Sequence, residues 1–323
     1  MALLAVLVYW VGFSAILATR PPWDMLSALG LCLAAYVLGR LTSRHVTPWA
    51  LPAAVVVAAL AVVLRSPAGS FSHLSAQGFL GYSNAKAAFF VQAAFATVMV
   101  FARNRSWKVG ACLLPVLVLF LAIPVSSRSL GAFLSSLVIL PAIYVAVFRR
   151  GHRPLMISAI ALVAFAVLSS VSLGRAFSNG ISGERESRAA EALDPGRARA
   201  WGDAYGILSD RPVLGVGPGG FSLASGNALF ESDLRWAHNE FLQVGAELGV
   251  VGLLLVLGLF AWTFMRLSSP LAGSSTVAAL AVAALALHAS VDYLFHFPLL
   301  PAVTLALVGS TPLRGPRGSM SQF

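Results

Sequence analysis

The sequence predicts an all-α polytopic membrane protein with about ten transmembrane helices and one long extracytoplasmic loop that carries a short amphipathic helix. Hydrophobic residues make up 58% of the chain, and charged residues only 11%. The mean hydropathy is +0.83, and long apolar runs recur along the sequence. We predict helices because a lipid-exposed backbone must satisfy its own hydrogen bonds, and because a transmembrane barrel shows shorter, alternating segments.

The apolar segments that can serve as spans are those close to the roughly 20 residues that a membrane crossing needs. They lie at about 2–19, 24–40, 49–65, 82–101, 109–125, 129–148, 154–173, 239–265, 272–290 and 297–311. Residues 1–19 lack the basic region of a cleaved signal peptide, so we interpret them as a retained first span. We find no internal repeat, and we treat residues 1–323 as a single integral membrane domain in which residues 174–238 form the long loop.

The net charge of +10 does not indicate a nucleic-acid partner, because the basic residues are sorted along the chain. They occupy alternate short loops and the C-terminal tail, which the positive-inside rule assigns to the cytoplasm. With both termini cytoplasmic, the loop 174–238 is predicted to be extracytoplasmic. The basic residues on the cytoplasmic side are Arg40, Arg44, Arg103, Arg105, Lys108, Arg149, Arg150, Arg153, Arg266, Arg314 and Arg317.

The long loop contains one amphipathic helix. Trp201, Ala204, Tyr205 and Leu208 recur at helical spacing, which predicts a helix over about 197–209. Asp210-Arg211-Pro212 ends it, because the residue before a proline disfavours the helical conformation. We expect this helix to lie along the membrane surface, with Trp201 at the interface between lipid and water.

A glycine-rich segment follows that helix and includes Gly215, Gly217, Gly219 and Gly220. A dinucleotide-binding fingerprint needs a preceding strand and a following helix, and neither is predicted here. The glycines indicate a tight turn whose backbone closely approaches a partner. From the residues alone, that partner is either a substrate or a neighbouring helix.

His238 stands at the start of the apolar helix that follows the loop. A neutral imidazole there can act as a general base near neutral pH, although a capping or interfacial histidine is the alternative.

The small-xxx-small pattern of Gly245 and Gly249 predicts close helix packing. Glu240 and Glu247 lie on the opposite face, and we expect them to face a watery cavity or to pair with loop arginines.

Four cations are predicted at the outer side of the membrane. Arg128 and Lys86 lie at the outer ends of spans, and Arg197 and Arg199 open the loop helix. Guanidinium groups suit a diphosphate, since they bind pairs of oxygen atoms and stay charged. A snorkelling side chain is the alternative for Lys86 and Arg128. We find no convincing metal-ligand spacing, so we expect no metal site.

These motifs resemble those of the bacterial O-antigen ligase and O-antigen polymerase superfamily, which comprises membrane-embedded, lipid-linked glycosyltransferases. The signature begins with His238-Asn239 and continues to Gly249 and Gly252. A further similar segment begins with Arg197-xxx-Trp201 and continues into residues 210–221. Residues 127–132, 78–87 and 288–298 also resemble segments of the family. The resemblance covers roughly residues 70–310, and its pieces occur in the family's order.

The resemblance implies a metal-independent, inverting glycosyltransferase that needs no cofactor. It would move a glycan from undecaprenyl diphosphate to an acceptor hydroxyl at the periplasmic face. His238 would be the base, and Arg128 and Arg197 would hold the diphosphate, with Arg199 and Lys86 as further binding candidates. Candidates for acceptor binding or support are Asn239, Glu240, Glu247, Asp292 and His296; for Asp292 and His296, ordinary interfacial packing is the alternative.

The sequence leaves the identity of the acceptor open. It is lipid A-core for O-antigen ligation, a growing glycan for an O-antigen or exopolysaccharide polymerase, and a protein for an O-oligosaccharyltransferase. A lipid-linked glycan transporter is a further alternative, but transporters tend to place charges near mid-membrane in related halves. The expected partners are therefore the lipid-linked donor, the acceptor and membrane lipid, with no nucleic acid. The expected location is the bacterial inner membrane.

Overall fold

The computed structural model describes residues 2–72, 80–104, 106–148, 152–179, 195–231, 234–268 and 273–312. These residues form helices and turns, with no β-strand among them, so the all-α prediction is confirmed for the described part of the chain. The helices are α1 (Ala2–Leu17), α2 (Trp23–His45), α3 (Ala50–Arg65), α4 (Pro67–Phe71), α5 (Ser83–Asn104), α6 (Trp107–Ser126), α7 (Leu130–Leu137), α8 (Ile139–Phe148), α9 (His152–Ser178), α10 (Pro195–Asp210), α11 (Phe221–Ala224), α12 (Glu240–Leu267), α13 (Gly273–Ala289) and α14 (Leu299–Gly309), and a 3₁₀ turn covers Leu294–His296.

Every apolar segment that we predicted as a span coincides with helix. Among the described residues, 6 helical stretches are long and apolar enough to cross a membrane. They are Trp23–His45, Ser83–Asn104, Trp107–Ser126, Leu130–Phe148, His152–Ser178 and Glu240–Leu267. The remaining segments form shorter apolar helices of 10–17 residues, namely α1, α3, α13 and α14. The count of about ten spans therefore stays a prediction.

The chain divides into two compact units, each assembled from separated stretches of sequence. The first unit contains Met1–Leu31, Ala161–Ala261 and Leu285–Pro301, and the second contains Cys32–Ile160, Trp262–Ala284 and Ala302–Phe323. The long loop belongs to the first unit, and its opening residues continue α9 as far as Ser178. Loop residues 180–194 and 232–233 lie outside the described residues. A single membrane domain with a periplasmic loop remains a prediction.

Helix α5 forms the core of the second unit. All of its residues from Ala85 to Val100 are buried, and it packs against α3, α6, α7 and α8. The rings of Phe90 and Phe120 lie 5.6 Å apart between α5 and α6. A helix that is covered on all sides needs an apolar surface all round, which explains why its sequence carries so few polar residues.

Three arginines of the predicted cytoplasmic side meet at the C-terminal end of α14. Arg40, Arg103 and Arg266 donate hydrogen bonds of 2.8–3.2 Å to the carbonyl groups of residues 309–312. The last carbonyl groups of a helix lack intrahelical partners, and guanidinium groups satisfy them and balance the helix dipole. These three basic residues therefore share one end of the second unit, as the charge pattern predicts. The basic residues of that pattern that lie outside the described part of the chain are Arg105, Arg149, Arg150, Arg314 and Arg317.

The loop helix α10 packs into the core of the first unit. It begins at Pro195, whose fixed φ suits the first turn of a helix. Trp201 is only 1% exposed, and its ring lies 6.2 Å from that of Phe177. The expectation that Trp201 lies at the interface between lipid and water is therefore wrong, and the orientation of α10 along the membrane surface stays a prediction. The apolar stripe of α10 is covered by protein, because residues of α9, α11 and α12 pack against it.

A break in α12 receives the glycine-rich loop. Gly249 has φ 69° and ψ −173°, so the helix is interrupted there. The carbonyl groups of residues 246–247 accept hydrogen bonds of 2.9 Å from the N–H groups of residues 216–217. On the other side of the break, the N–H of Val250 donates to the carbonyl of Pro212 at 2.7 Å. The loop thus satisfies backbone groups that an unbroken helix would pair internally.

Glycine is required on both sides of this contact. A Cβ atom on Gly249 would stand 2.1 Å from the Val213 carbonyl oxygen, and one on Gly215 would stand 2.5 Å from the carbonyl oxygen of Glu247. The glycine turn therefore approaches a neighbouring helix, which was one of the two partners that the sequence left open. Gly245 faces the side chain of Leu208 in α10, whereas the small-xxx-small prediction is wrong at Gly249, where the loop approaches.

Candidate active site

The backbone around His238 is fixed by the start of α12. His238 has φ 50°, a left-handed conformation that is uncommon for residues other than glycine. Asn239 follows it, and its Oδ1 accepts from the N–H groups of Phe241 and Leu242 at 3.1 and 3.2 Å. Trp201 Nε1 donates to the His238 carbonyl at 3.2 Å. Strained backbone persists only where the surroundings over-determine it, and here a cap and an indole do so.

Asn239 also joins the start of α12 to the segment between α13 and α14. Its Nδ2 donates to the carbonyl of Ser290 at 2.6 Å, and the residue is fully buried. This segment, residues 290–298, carries Asp292 and His296. The observed contacts of Asn239 are therefore with backbone, and they support the site by holding its two segments together.

His238 and Asp292 form the first pair across these segments. His238 Nδ1 lies 3.4 Å from Asp292 Oδ1, and the two side chains are 12% and 1% exposed. Arg197 approaches the same carboxylate, with a guanidinium nitrogen 3.8 Å from Oδ2. Arg197 also donates to the Val291 carbonyl at 2.6 Å. A base-capable imidazole, a carboxylate and one of the predicted diphosphate-binding arginines are thus in one cluster.

The charge state of Asp292 follows from its partners. Burial alone would raise the pKa of this carboxyl, but the adjacent imidazole of His238 and the positive charge of Arg197 outweigh it. Together with His288 they lower the pKa of Asp292 to about 2. The carboxylate is therefore ionised at neutral pH, and its negative charge lies against the ring of His238.

A second pair joins the same two segments, but here the carboxylate comes from the start of α12 and the imidazole comes from residues 290–298. Glu240 stands two residues after His238, and His296 stands four residues after Asp292. His296 Nδ1 lies 3.3 Å from Glu240 Oε1, which also accepts the N–H of Phe295. Burial lowers the pKa of His296, but the carboxylate of Glu240 raises it by more, so the net pKa of His296 is raised. Each segment therefore contributes one imidazole and one carboxylate.

Glu247 serves the fold of the glycine-rich loop. Its carboxylate accepts from Gly219 N–H at 2.9 Å, from Phe221 N–H at 3.4 Å and from Gln243 Nε2 at 2.7 Å. Both Glu240 and Glu247 are only 2% exposed. The expectation that they face water or pair with loop arginines is wrong, because backbone N–H groups and neighbouring side chains bind them.

The other predicted cations have different surroundings. Arg199 is about half exposed and pairs with Glu231 at 2.9 Å. Lys86 is buried in the second unit, where its Nζ donates to the carbonyl groups of Gly69 and Ser72 at 2.7 and 2.5 Å. Arg128 also belongs to the second unit, is exposed, and has a left-handed φ of 55°. Convergence of all four cations on one diphosphate stays a prediction.

Two aromatic residues of the site did not figure among the candidates from sequence. The rings of His238 and Tyr293 lie 4.7 Å apart at 90°, and the ring of Trp236 lies 6.2 Å from that of Tyr293. The signal that could have found them is their position, since Trp236 stands two residues before His238 and Tyr293 directly follows Asp292. In the part of the chain that the structure describes, no group of three or more His, Cys, Asp or Glu side chains could hold a metal ion.

Comparison with known protein families identifies the region that contains most of this site. Residues 115–257 match the family model described as O-antigen ligase. The match includes Arg128, Arg197, Arg199 and His238, and it ends before Asp292. No curated protein matches the chain. The resemblance to the O-antigen ligase superfamily that the motifs predicted is therefore confirmed for residues 115–257.

Proposed function

We propose that this protein is a membrane glycosyltransferase that moves a glycan from undecaprenyl diphosphate to an acceptor hydroxyl at the periplasmic face of the inner membrane. The proposed reaction is the ligation of O-antigen to lipid A-core. The O-antigen ligase match and the apolar helices support a membrane enzyme of O-antigen assembly. The donor, the acceptor and the location are the parts of the proposal that go beyond them.

His238 is the proposed general base. Its Nδ1 faces Asp292, so Nε2 is the ring nitrogen that would take the proton of the acceptor hydroxyl. The ionised Asp292 holds the ring in one tautomer and stabilises the imidazolium that forms. Because the carboxylate is buried and already charged, it is pre-organised for that positive charge and requires little reorganisation during the reaction.

The acceptor oxygen attacks the anomeric carbon as the bond from that carbon to the diphosphate oxygen breaks. The bonding electron pair leaves with the diphosphate, and attack from the opposite side inverts the anomeric centre. Arg197 and Arg199, which both lie in the first unit, are the proposed groups that balance the charge developing on the leaving group. Arg197 contacts Asp292 as well, so it would link the diphosphate to the base. This chemistry requires no metal or other cofactor.

The contact between His238 Nδ1 and Asp292 Oδ1 at 3.4 Å is the observation that carries this proposal. It is tested with the full-length protein in lipid nanodiscs, an undecaprenyl-diphosphate glycan and lipid A-core, with transfer followed by gel mobility. His238→Ala should abolish transfer while the protein still inserts and purifies normally. Full activity in that variant would end the proposal of His238 as the base.

The acceptor separates ligation from the related reactions. A polymerase or a protein O-oligosaccharyltransferase would use the same base and the same cations. The surface glycans of a deletion strain distinguish them. Loss of long chains with retention of lipid-linked polymer indicates a ligase, and a single repeat retained on lipid A-core indicates a polymerase. Transfer of glycan to protein in the nanodisc assay would indicate the oligosaccharyltransferase.

A further inference from the structure

The ring of Tyr293 lies against the proposed base, and the ring of Trp236 lies beside Tyr293. The rings of Trp236 and Tyr293 have centroids 6.2 Å apart and planes 28° from parallel. Tyr293 meets His238 edge-on at 4.7 Å, and Trp236 lies 3.8 Å from the ring of His296. The guanidinium of Arg235 stands 5.3 Å over the indole. We call Trp236 and Tyr293 the aromatic platform.

The aromatic platform differs from the tryptophan that packs the core nearby. Trp201 is 1% exposed and is surrounded by apolar side chains. Trp236 and Tyr293 are only half-buried and lie in loop segments beside polar and charged groups. A large ring that serves packing is normally covered, whereas a partly exposed ring beside a reactive group offers a surface to a ligand.

The platform is held in place from both of its segments. Asn239 ties the start of α12 to the Ser290 carbonyl at 2.6 Å, and the Tyr293 N–H donates to Asp292 Oδ1 at 2.9 Å. Glu240 accepts the N–H of Phe295 in the same turn. The two rings therefore keep their positions relative to His238 without help from a ligand, which lowers the ordering cost of binding.

The chemistry of the surface suits a sugar ring. The C–H face of a pyranose ring is apolar and carries partial positive charge, and it fits the negatively charged face of an aromatic ring. Arg235, which stands over the indole, and His296, whose ring lies against it, can bind sugar hydroxyl groups beside the platform. A polyprenyl chain would instead need an unbroken apolar surface, and a diphosphate is repelled by aromatic faces.

We propose that Trp236 and Tyr293 form the binding surface for a pyranose ring of the acceptor glycan and set the acceptor hydroxyl beside His238. This inference rests on the proposed function, because the base takes its proton from the acceptor and the platform stands against the base. It makes Trp236 and Tyr293 determinants of acceptor affinity. The donor diphosphate is bound by other groups.

Direct binding tests the inference without any reaction. A deacylated core oligosaccharide is titrated into full-length protein in detergent, and binding is followed by saturation-transfer difference NMR. The variants are Trp236→Leu and Tyr293→Leu, with Trp236→Phe and Tyr293→Phe as ring-retaining partners. Trp107→Leu is the matched control, since Trp107 lies in the second unit and is 77% exposed.

We expect the leucine variants to weaken glycan binding about tenfold, while the phenylalanine variants stay within about threefold and the control is unchanged. In the transfer assay the same leucine variants should raise the KM for acceptor and leave the KM for donor unchanged. Unchanged glycan affinity in both leucine variants would overturn the inference. Glycan binding should change the intrinsic fluorescence of the wild-type protein. If a leucine variant does not purify, this change should still be absent in Trp236→Phe. Its persistence in that variant would overturn the inference.

The His238→Ala variant keeps this test separate from that of the proposed function. It should bind the oligosaccharide as wild type does and transfer nothing. Full transfer by His238→Ala contradicts the proposed base but leaves the platform standing. Failure of the wild-type protein to bind the oligosaccharide contradicts the platform, whatever the outcome of the transfer assay.

Discussion

His238 Nδ1 and Asp292 Oδ1 lie 3.4 Å apart, although one residue ends the long loop and the other follows α13. A reciprocal pair, Glu240 with His296, joins the same two segments at 3.3 Å. The site is therefore assembled across the first unit, and each of its segments depends on the other for a charge partner. A substitution in one segment should therefore affect the charge partner in the other.

Asp292→Asn should lower kcat for glycan transfer by about two to four orders of magnitude, because an amide neither fixes the useful tautomer nor stabilises an imidazolium. The KM for donor should change little by comparison. Steady-state kinetics in nanodiscs measure both constants. Asp24→Asn, at an exposed position in α2, is the control. A kcat close to that of wild type would show that His238 works without the carboxylate.

Arg197→Lys should lower kcat/KM for the donor by about tenfold to a hundredfold, since a charged hydrogen bond contributes roughly 1.5–3 kcal/mol. Lysine keeps the charge but loses the planar fork that reaches the Val291 carbonyl and Asp292 together. Donor titrations at fixed acceptor measure the effect, and Arg44→Lys serves as an exposed control. Unchanged donor kinetics would remove Arg197 from the diphosphate site.

The pair of His296 and Glu240 should make stability depend on pH. The folded-state pKa of His296 is raised above its ordinary value of 6.5. Its stabilising contribution is therefore complete below about 6.5 and is lost as the pH rises through the raised pKa. Thermal unfolding of the wild-type protein should show a falling Tm in that window, and His296→Gln should flatten the fall. The exposed His45→Gln should leave the slope unchanged, and an equal slope in His296→Gln would refute the assignment.

Gly249→Ala should destabilise the protein by about 2 kcal/mol or more, because alanine is strained at positive φ and its Cβ would meet backbone. The contacting atom is the carbonyl oxygen of Val213, 2.1 Å from the ideal Cβ position. Thermal unfolding in detergent measures the loss. Gly12→Ala is the matched control, since its Cβ would meet nothing within 4 Å. A Tm equal to wild type would mean that the break in α12 adjusts freely.

The apolar helices were predictable because their signal is local. A span requires a continuous apolar stretch of about 20 residues, so each run could be recognised without knowing its neighbours. The helix α10, predicted over about 197–209 and observed over Pro195–Asp210, and the position of His238 just before α12 follow from similarly local signals. The burial of Trp201 was not predictable, because periodicity shows that a helix has an apolar stripe but not whether lipid or protein covers it.

The sequence by itself determined the helical character of the chain, the sorting of its charges and the motifs that resemble those of the O-antigen ligase superfamily. Only the tertiary structure decided that Asp292 joins His238, that Glu247 holds the glycine loop, and that Gly249 breaks α12 to admit that loop. The reason is physical. Helix formation depends on residues within a few turns of one another, whereas a buried carboxylate is given its role by whichever distant groups fold against it.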